Sequence, residues 1–314
     1  MKERSTRGIL LPMNEDLSNV LKFSDEVAAA HAAGAPIVAL ESAFFSHGLP
    51  RPINLEVARS VLDIIRSHGV TPAIIAVIEG EIHIGLSDAE LVEITTRENM
   101  LKSSSRDLAI AIAFGKSAAT TISASIHLAA MAGIKIFVTS GLDGTRRNSS
   151  DAFDESADFT ALSTLDITVV CAGVKSIIDI ESSLANLNSF GIDIIGYQTD
   201  KFPGYYLTHS DFTVEKQAES AAQISAAINI RKNEKTKSSA LIVANPVTNQ
   251  MDRKLHDSIV SSALALAEQD SITGKALTAH LLEHFHTSSN GESLRLDIEI
   301  IKSNASLASE IAKI

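Results

Sequence analysis

Lys175 ends the run ITVVCAGVK, residues 167–175, directly after an apolar segment and a glycine. An ammonium at the end of a buried strand is partly desolvated. Desolvation lowers its pKa and leaves a fraction of free amine, which can attack a carbonyl to form a Schiff base. The same position suits a lysine that pairs with a carboxylate or reaches solvent, and the pattern alone leaves both roles open. Glu41 follows PIVAL, residues 36–40. Burial against Phe44 and Phe45 would raise its pKa toward that of a general acid, whereas a bond to its own loop would make it structural. His47-Gly48 reads as a turn. The loop carrying Asp151, Asp154, Glu155 and Asp158 could offer oxygens to Mg²⁺ or Mn²⁺, or remain solvated. Lys102, Arg106, Arg146 and Arg147 are of the types that bind phosphate. No Gly-rich Walker or dinucleotide loop is present, so nucleoside triphosphate and NAD chemistry lack their usual support.

These residues must be held by a regular frame. Compact apolar runs at 36–40, 73–78, 134–139, 167–173, 193–199 and 240–246 read as strands. Helical spacing of Val57, Val61, Ile64 and Ile65 predicts a helix over 53–68, and Ser87 is placed to cap a helix over 88–96. Further helices are expected over 118–133, closed by Gly133, over 176–191, over 215–230, and in two or three segments at the end. EGEIHIGL reads as a turn and a second strand, ESAFFSHGLPRP as a loop. Alternation of strand and helix predicts an α/β fold, an α/β/α sandwich around a largely parallel or mixed sheet, in a single large domain over 21–314. Residues 1–20 read as a flexible N-terminal extension. Ligands of open α/β sheets gather beyond the carboxyl ends of strands. Glu41, Thr139, Ser140, Lys175, Thr199, Asp200 and Asn245 occupy such ends.

Composition narrows the partners. The chain has 314 residues, 45% hydrophobic and 21% charged, with a formal net charge of −11. That balance argues against a nucleic-acid or anionic-membrane surface, and no apolar run reaches the length of a membrane span. Aromatics make up 4% and Trp is absent, so Ile, Leu, Val and Ala must build the core. Cys171 is the only cysteine, which excludes an intramolecular disulfide framework and suits a reducing cytoplasmic setting. The opening MKERSTRGILLPMNE lacks a signal peptide's apolar stretch.

Several segments in order resemble the pseudouridine-5′-phosphate glycosidases, also called the indigoidine-synthase-A-like family: VALESAFFSHGLPRPIN (38–54), PAIIAVIEGEIHIGL (72–86), LKSSSRDLAIAIA (101–113), ATTISASIHLAAMAGIKIFVTSG (119–141), AFDESADFTAL (152–162), VVCAGVKSIIDI (169–180), GYQTDKFPGYY (196–206), ALIVANP (240–246) and ESLRLDIEIIKSNASLASEIA (292–312). The resemblance implies reversible cleavage of the C–C glycosidic bond of pseudouridine 5′-phosphate to uracil and ribose 5-phosphate. It implies Lys175 as the Schiff-base lysine and Glu41 as the proton donor. Asp154 falls on the aspartate that holds Mn²⁺, largely through waters, with Mg²⁺ or another divalent cation as substitute and no organic cofactor. Substrate contacts fall on Lys102, Ile122, Thr139, Ser156, Ala157 and Asp158, and the family assembly is a homotrimer.

The chain departs from the family motifs near these positions. The family's GGIGGVHR is here SGLDGTRR, which puts Ser140 and Asp143 at two glycine positions and Arg146 at the histidine. ESTIISHG is here ESAFFSHG, with Ala43, Phe44 and Phe45, and SLxxN is here SLRLD, with Asp297 at an asparagine position. Arg146 and Asp297 therefore join the candidate substrate contacts. A retained core with an altered wall leaves a second enzyme reading open, a C-nucleoside synthase or glycosidase for another heterocycle. A catalytically silent sugar-phosphate-binding member is a third.

Overall fold

The structure, a computed structural model, describes residues 20–145, 156–233, 239–272 and 274–314. The first part of the chain forms β1 (Leu21–Phe23), α1 (Asp25–Ala33), β2 (Ile37–Glu41), α2 (Ala43–His47), α3 (Ile53–Ser67), β3 (Thr71–Ile78), β4 (Glu81–Ile84) and α4 (Asp88–Thr96). There follow β5 (Leu101–Ser103), α5 (Leu108–Ala113), β6 (Ala118–Thr120), α6 (Ile122–Met131), β7 (Ile136–Val138), α7 (Ala157–Thr164), β8 (Thr168–Cys171) and α8 (Ile180–Ser189). The last part holds β9 (Asp193–Tyr197), β10 (Lys216–Ala218), α9 (Ala221–Asn233), β11 (Leu241–Ala244), α10 (Arg253–Gln269), α11 (Gly274–Ser288) and α12 (Glu292–Lys313).

One sheet runs β1-β4-β3-β2-β7-β8-β11-β9-β10. Its centre is parallel, and only the β3–β4 and β3–β6 pairings are antiparallel. Strand alternation sorts the apolar side chains into two layers. Val38, Leu40, Ile74, Val138, Val170 and Val243 pack with α3, α9 and α12, while Ala39, Ile75, Phe137, Val169, Cys171 and Ile242 face the layer containing α6 and α7. This is the expected three-layer sandwich around a mixed sheet. Ser87 does cap α4, and Glu90 completes a capping box.

Four local expectations are corrected. Residues 118–120 are strand β6, not the start of a helix, and α6 begins at Ile122. The reason is a vacant sheet edge. Strand β2 accompanies β3 only as far as Ile75, and the small residues Ala118 and Ala119 take over at Val77 and Ala76. Tertiary pairing here overrides a sequence rich in helix formers. The helix expected from Ser176 begins at Ile180 with Asp179 as its cap, because the Lys175 carbonyl and the Ser176 hydroxyl are engaged with Ile178 and Gly204. Residues 216–218 pair with β9 before α9 starts, and the loop after Glu41 contains the short helix α2.

The carboxyl ends of the central strands are tied together by one side chain of α12. The Asn304 amide nitrogen donates to the carbonyls of Thr139 (2.9 Å) and Ser140 (3.3 Å), and its oxygen accepts from Asn245 Nδ2 (2.9 Å). All four residues are buried. Removing a buried partner leaves the others unsatisfied, at about 1–3 kcal/mol. Asn304→Ala should therefore lower unfolding free energy by about 1–3 kcal/mol in urea titration, with no change in far-ultraviolet circular dichroism of the folded protein.

Candidate active site

A cavity of about 140 Å³ opens at the carboxyl ends of β2, β7 and β8, roughly ten times the space one water needs. Glu41, Lys102, Ile122, Ser140, Asp143, Asp158, Lys175 and Asp297 line it, with Ala43, Phe44, His47, Gly48, Thr121, Tyr205 and Leu282 as the remaining wall. Its position follows from the topology. Where β2 leaves β3 at Glu41, the chain turns into α2, and Ser42 Oγ fills the gap by donating to the Ile75 carbonyl and accepting from the Thr120 amide. Glu41 is thus presented at the point where the sheet changes partners.

Lys175 sits in a backbone ladder between two loops. The Leu142 amide donates to the Gly173 carbonyl (2.9 Å), and the Lys175 amide donates to the Leu142 carbonyl (3.0 Å). Close packing demands glycine twice here. Gly173 has φ +82°, with Pro203 O 2.5 Å from where a Cβ would lie, and a Cβ on Gly141 would meet the Tyr205 ring at 2.7 Å. The ladder faces Asp143 and Lys175 toward each other, and Nζ donates to Asp143 Oδ1 at 2.9 Å. Their side chains are 27% and 15% exposed.

The electrostatics of this pair correct one expectation. Burial does pull the Lys175 pKa down, but Asp143 and Glu41, with Asp158 behind them, outweigh it and hold the amine above its ordinary value. The resting lysine is a paired ammonium, not a partly free amine. Glu41 is shifted upward from an ordinary exposed carboxylate. Burial raises its pKa, against the lowering by Lys175, by a 2.5 Å hydrogen bond from Thr139 Oγ1, and by Lys102. Asp158 accepts from the Ser123 amide at 2.9 Å, in the first turn of α6, and burial with the Asp143 and Glu41 charges pushes its pKa up to about 7. Asp297 accepts from Tyr205 Oη (2.7 Å) and Tyr206 Oη (3.2 Å), and burial raises it to about 7 despite those bonds.

Other expected residues land elsewhere. Thr139 touches Glu41 from behind and does not line the cavity. Ser156 caps α7 through the Asp158 amide, and Ala157 is that helix's first residue; neither lines the cavity. Asn245 is spent on Asn304, and Thr199 on the backbone of Lys201, so the rim is narrower than the list of strand ends implied. Arg146, Arg147, Asp151, Asp154 and Glu155 lie outside the described residues. Among the described residues no group of three or more His, Cys, Asp or Glu side chains could hold a metal. Two cavity residues, His47 and Tyr205, have no direct chemical signal in the sequence, and Asp143 is marked there only as a departure from glycine. His47, its Nε2 at 2.9 Å from the Met100 carbonyl, reads as a turn residue until α2 sets it, still exposed, on the cavity wall. Tyr205 and Asp143 carry weight only through Asp297 and Lys175, distant in sequence.

The chain and its fold are similar to known proteins. The indigoidine synthase A like protein family model matches residues 26–314. The chain belongs to this family. It is 45% identical to the pseudouridine-5′-phosphate glycosidase of Salinispora tropica over 294 residues, covering 93% of this chain and 91% of that one. Identity to the Frankia alni protein of the same name is 45%, over 94% of this chain and 82% of the other. Among solved structures, the prealnumycin C-glycosynthase AlnA in complex with ribulose 5-phosphate superposes with TM-score 0.86 at 28% identity, over 93% of this chain and 96% of that one. The indigoidine synthase A-like protein of Thermotoga maritima gives TM-score 0.83 at 30% identity, over 96% and 98%.

Two outcomes follow for this family member. Thr139→Val removes the hydrogen bond that favours the Glu41 carboxylate, so the Glu41 pKa should rise further. Titration followed by carbon NMR of labelled glutamate checks this, and an unchanged or lower value contradicts it. Asp297 has a folded pKa raised above its ordinary value of 3.8, to about 7. Its favourable contribution is present below pH ~4 and is lost as pH rises to ~7. Asp297→Asn should thus be more stable than the parent at pH 8, on the order of 4 kcal/mol, and lose that advantage near pH 4 in denaturant titrations.

Proposed function

We propose that this protein reversibly cleaves the C–C glycosidic bond of pseudouridine 5′-phosphate, giving uracil and ribose 5-phosphate through an imine between Lys175 and the ring-opened sugar. The observation that carries the proposal is the convergence of Lys175 Nζ and the raised-pKa carboxyl of Glu41 on one cavity. The 45% identity to glycosidases of that substrate supports it. A C-nucleoside has no leaving-group heteroatom, so oxocarbenium departure of the base, as in ordinary glycosides, has no counterpart. An amine changes the problem. As Lys175 attacks C1′ and the C1′–O4′ bond breaks, one ammonium proton passes to O4′ and a second to a cavity carboxylate, leaving a neutral secondary amine on C1′. Glu41 then protonates C5 of uracil while the C1′–C5 bond breaks and the nitrogen lone pair forms C=N⁺. Addition of water at C1′ releases ribose 5-phosphate and returns the ammonium.

Lys102 lines the cavity beside Thr121 and Ile122 at the amino end of α6, and its ammonium suits a phosphate. Ser156, Ala157 and Arg146 are proposed as substrate contacts on the resemblance to the family motifs alone. Mn²⁺ or Mg²⁺ is proposed at Asp154, where it would order the pocket, and no step is routed through it. A homotrimer is proposed as the assembly, supported by Leu101, Ile110 and Phe114, which are exposed on neighbouring segments. A cytoplasmic setting is supported by the buried free Cys171; no described helix is long and apolar enough to cross a membrane.

A second reading, C-glycoside synthesis on another heterocycle, is favoured by the likeness to AlnA and by Ala43 and Phe44 in the cavity wall. Incubation with ribose 5-phosphate and either uracil or other heterocycles separates the two, since only the favoured acceptor yields a C-nucleoside phosphate. Lys175→Ala should abolish uracil release from pseudouridine 5′-phosphate, and Glu41→Gln should slow it by about 10²–10⁴-fold. Uracil release by Lys175→Ala at the parent's rate would overturn the imine mechanism.

A further inference from the structure

We infer that Asp143 is a catalytic residue of the covalent step, carrying the proton of Lys175 during imine formation and serving as counter-ion to the iminium that results. The inference rests on the imine reading above. Asp143 is the one carboxylate bonded to Nζ among the described residues, at 2.9 Å, and the two side chains are placed by the Leu142–Gly173 and Lys175–Leu142 backbone bonds. It stands where the family motif has glycine, so the carboxylate is a property of this chain.

The chemistry gives such a group a task, because protons must move although none is gained or lost. A lysine ammonium and an aldehyde give an iminium and water with no net gain or loss of protons: Lys-NH₃⁺ + O=CH–R → Lys-NH⁺=CH–R + H₂O. One proton must nevertheless leave nitrogen before the C–N bond forms, then rejoin the hydroxyl of the carbinolamine as the C–O bond breaks. A carboxylate bonded to Nζ can accept that proton and return it without exchange with solvent. The nitrogen is cationic at both ends of the sequence, so Asp143 neutralises it in both. The other groups facing Nζ are poorly placed for this work. Glu41 is held by Thr139 and committed to C5, Asp158 is fixed on the Ser123 amide, and Asp297 is held by two tyrosines. Lys102 and His47, also on the cavity wall, carry no carboxylate.

Two consequences distinguish a proton carrier from a clamp that merely hides the amine. With the carrier present, imine formation draws on the ammonium itself and changes little between pH 6 and 9. Without it, attack depends on the free amine in equilibrium with solvent, and the rate climbs by about tenfold per pH unit below the amine's pKa.

The test is reductive trapping of the full-length protein with ribose 5-phosphate and cyanoborohydride from pH 6 to 9. The adduct at Lys175 is quantified by peptide mass spectrometry. The parent and Asp143→Glu should give nearly flat profiles. Asp143→Asn should trap at least tenfold more slowly at pH 6.5 and converge on the parent as pH rises. Should Asn at 143 unfold the loop, judged by thermal melting, Asp143→Gly supplies the same comparison with the residue of the family motif. Trapping by the carboxylate-free variant that equals the parent's at all pH values, or exceeds it, overturns the role of Asp143 and leaves the imine intact. Absence of any Lys175 adduct in the parent overturns the imine and the present inference together.

Discussion

The chemistry of this cavity turns on one buried cation among several acids. Lys175 is surrounded by Glu41, Asp143, Asp158 and Asp297 in a site where water screens weakly. Each of these acids is shifted or placed through its relation to that nitrogen. Lys175 lowers the Glu41, Asp158 and Asp297 pKa values, and burial raises them further than it can lower them. The result is a graded set: a raised carboxyl in Glu41, two acids near neutrality in Asp158 and Asp297, and a carboxylate in contact with the amine. Environments that push the pKa values of neighbouring groups apart are how one site comes to hold both an acid and a base.

The fold can be understood as the apparatus that keeps this set together. Strands β2, β7 and β8 are adjacent and parallel, so Glu41, Ser140 and the Lys175 loop emerge on the same rim. The departure of β2 from β3 makes room for the cavity, and β6 seals the exposed edge of β3. Asn304 fixes the last residues of β7 to the end of β11 from outside the sheet. Helix α6 brings Thr121 and Ile122 at its amino end to the cavity wall, where Asp158 accepts from the Ser123 amide of its first turn.

Residue-level departures from the family pattern acquire distinct meanings once placed. Ser140 and Asp143 both replace glycines, yet Ser140 is buried on the wall and Asp143 pairs with the Lys175 amine. Asp297, at an asparagine position, is not an exposed repulsive charge. Tyr205 and Tyr206 bond both its oxygens, and burial keeps it partly protonated near pH 7. Phe45 is fully buried beneath Glu41's turn, whereas Phe44 reaches the cavity wall. Changes that look alike in sequence therefore divide into wall, packing and chemistry.

Hydrophobic period and strand–helix alternation were enough to read the layered α/β class, the main central strands and the placement of Glu41 and Lys175 at strand ends, because these depend on local pattern. Residue type had already marked Lys102 and Asp158, and family motifs added Ile122 and Asp297; all four line the cavity. What sequence could not decide was anything that depends on a partner far along the chain. Strand β6 exists because β2 ends one residue past Leu40, and α8 starts late because Ser176 is needed by Gly204. The protonation of Lys175 is the sharpest instance. Its position after an apolar strand predicts a depressed pKa, and desolvation does act in that direction. Only the tertiary structure brings Asp143, 32 residues earlier, to within 2.9 Å of the nitrogen. Coulombic attraction at that distance in a screened-off cavity outweighs the desolvation, so the sequence determined where the amine stands and the fold determined its charge.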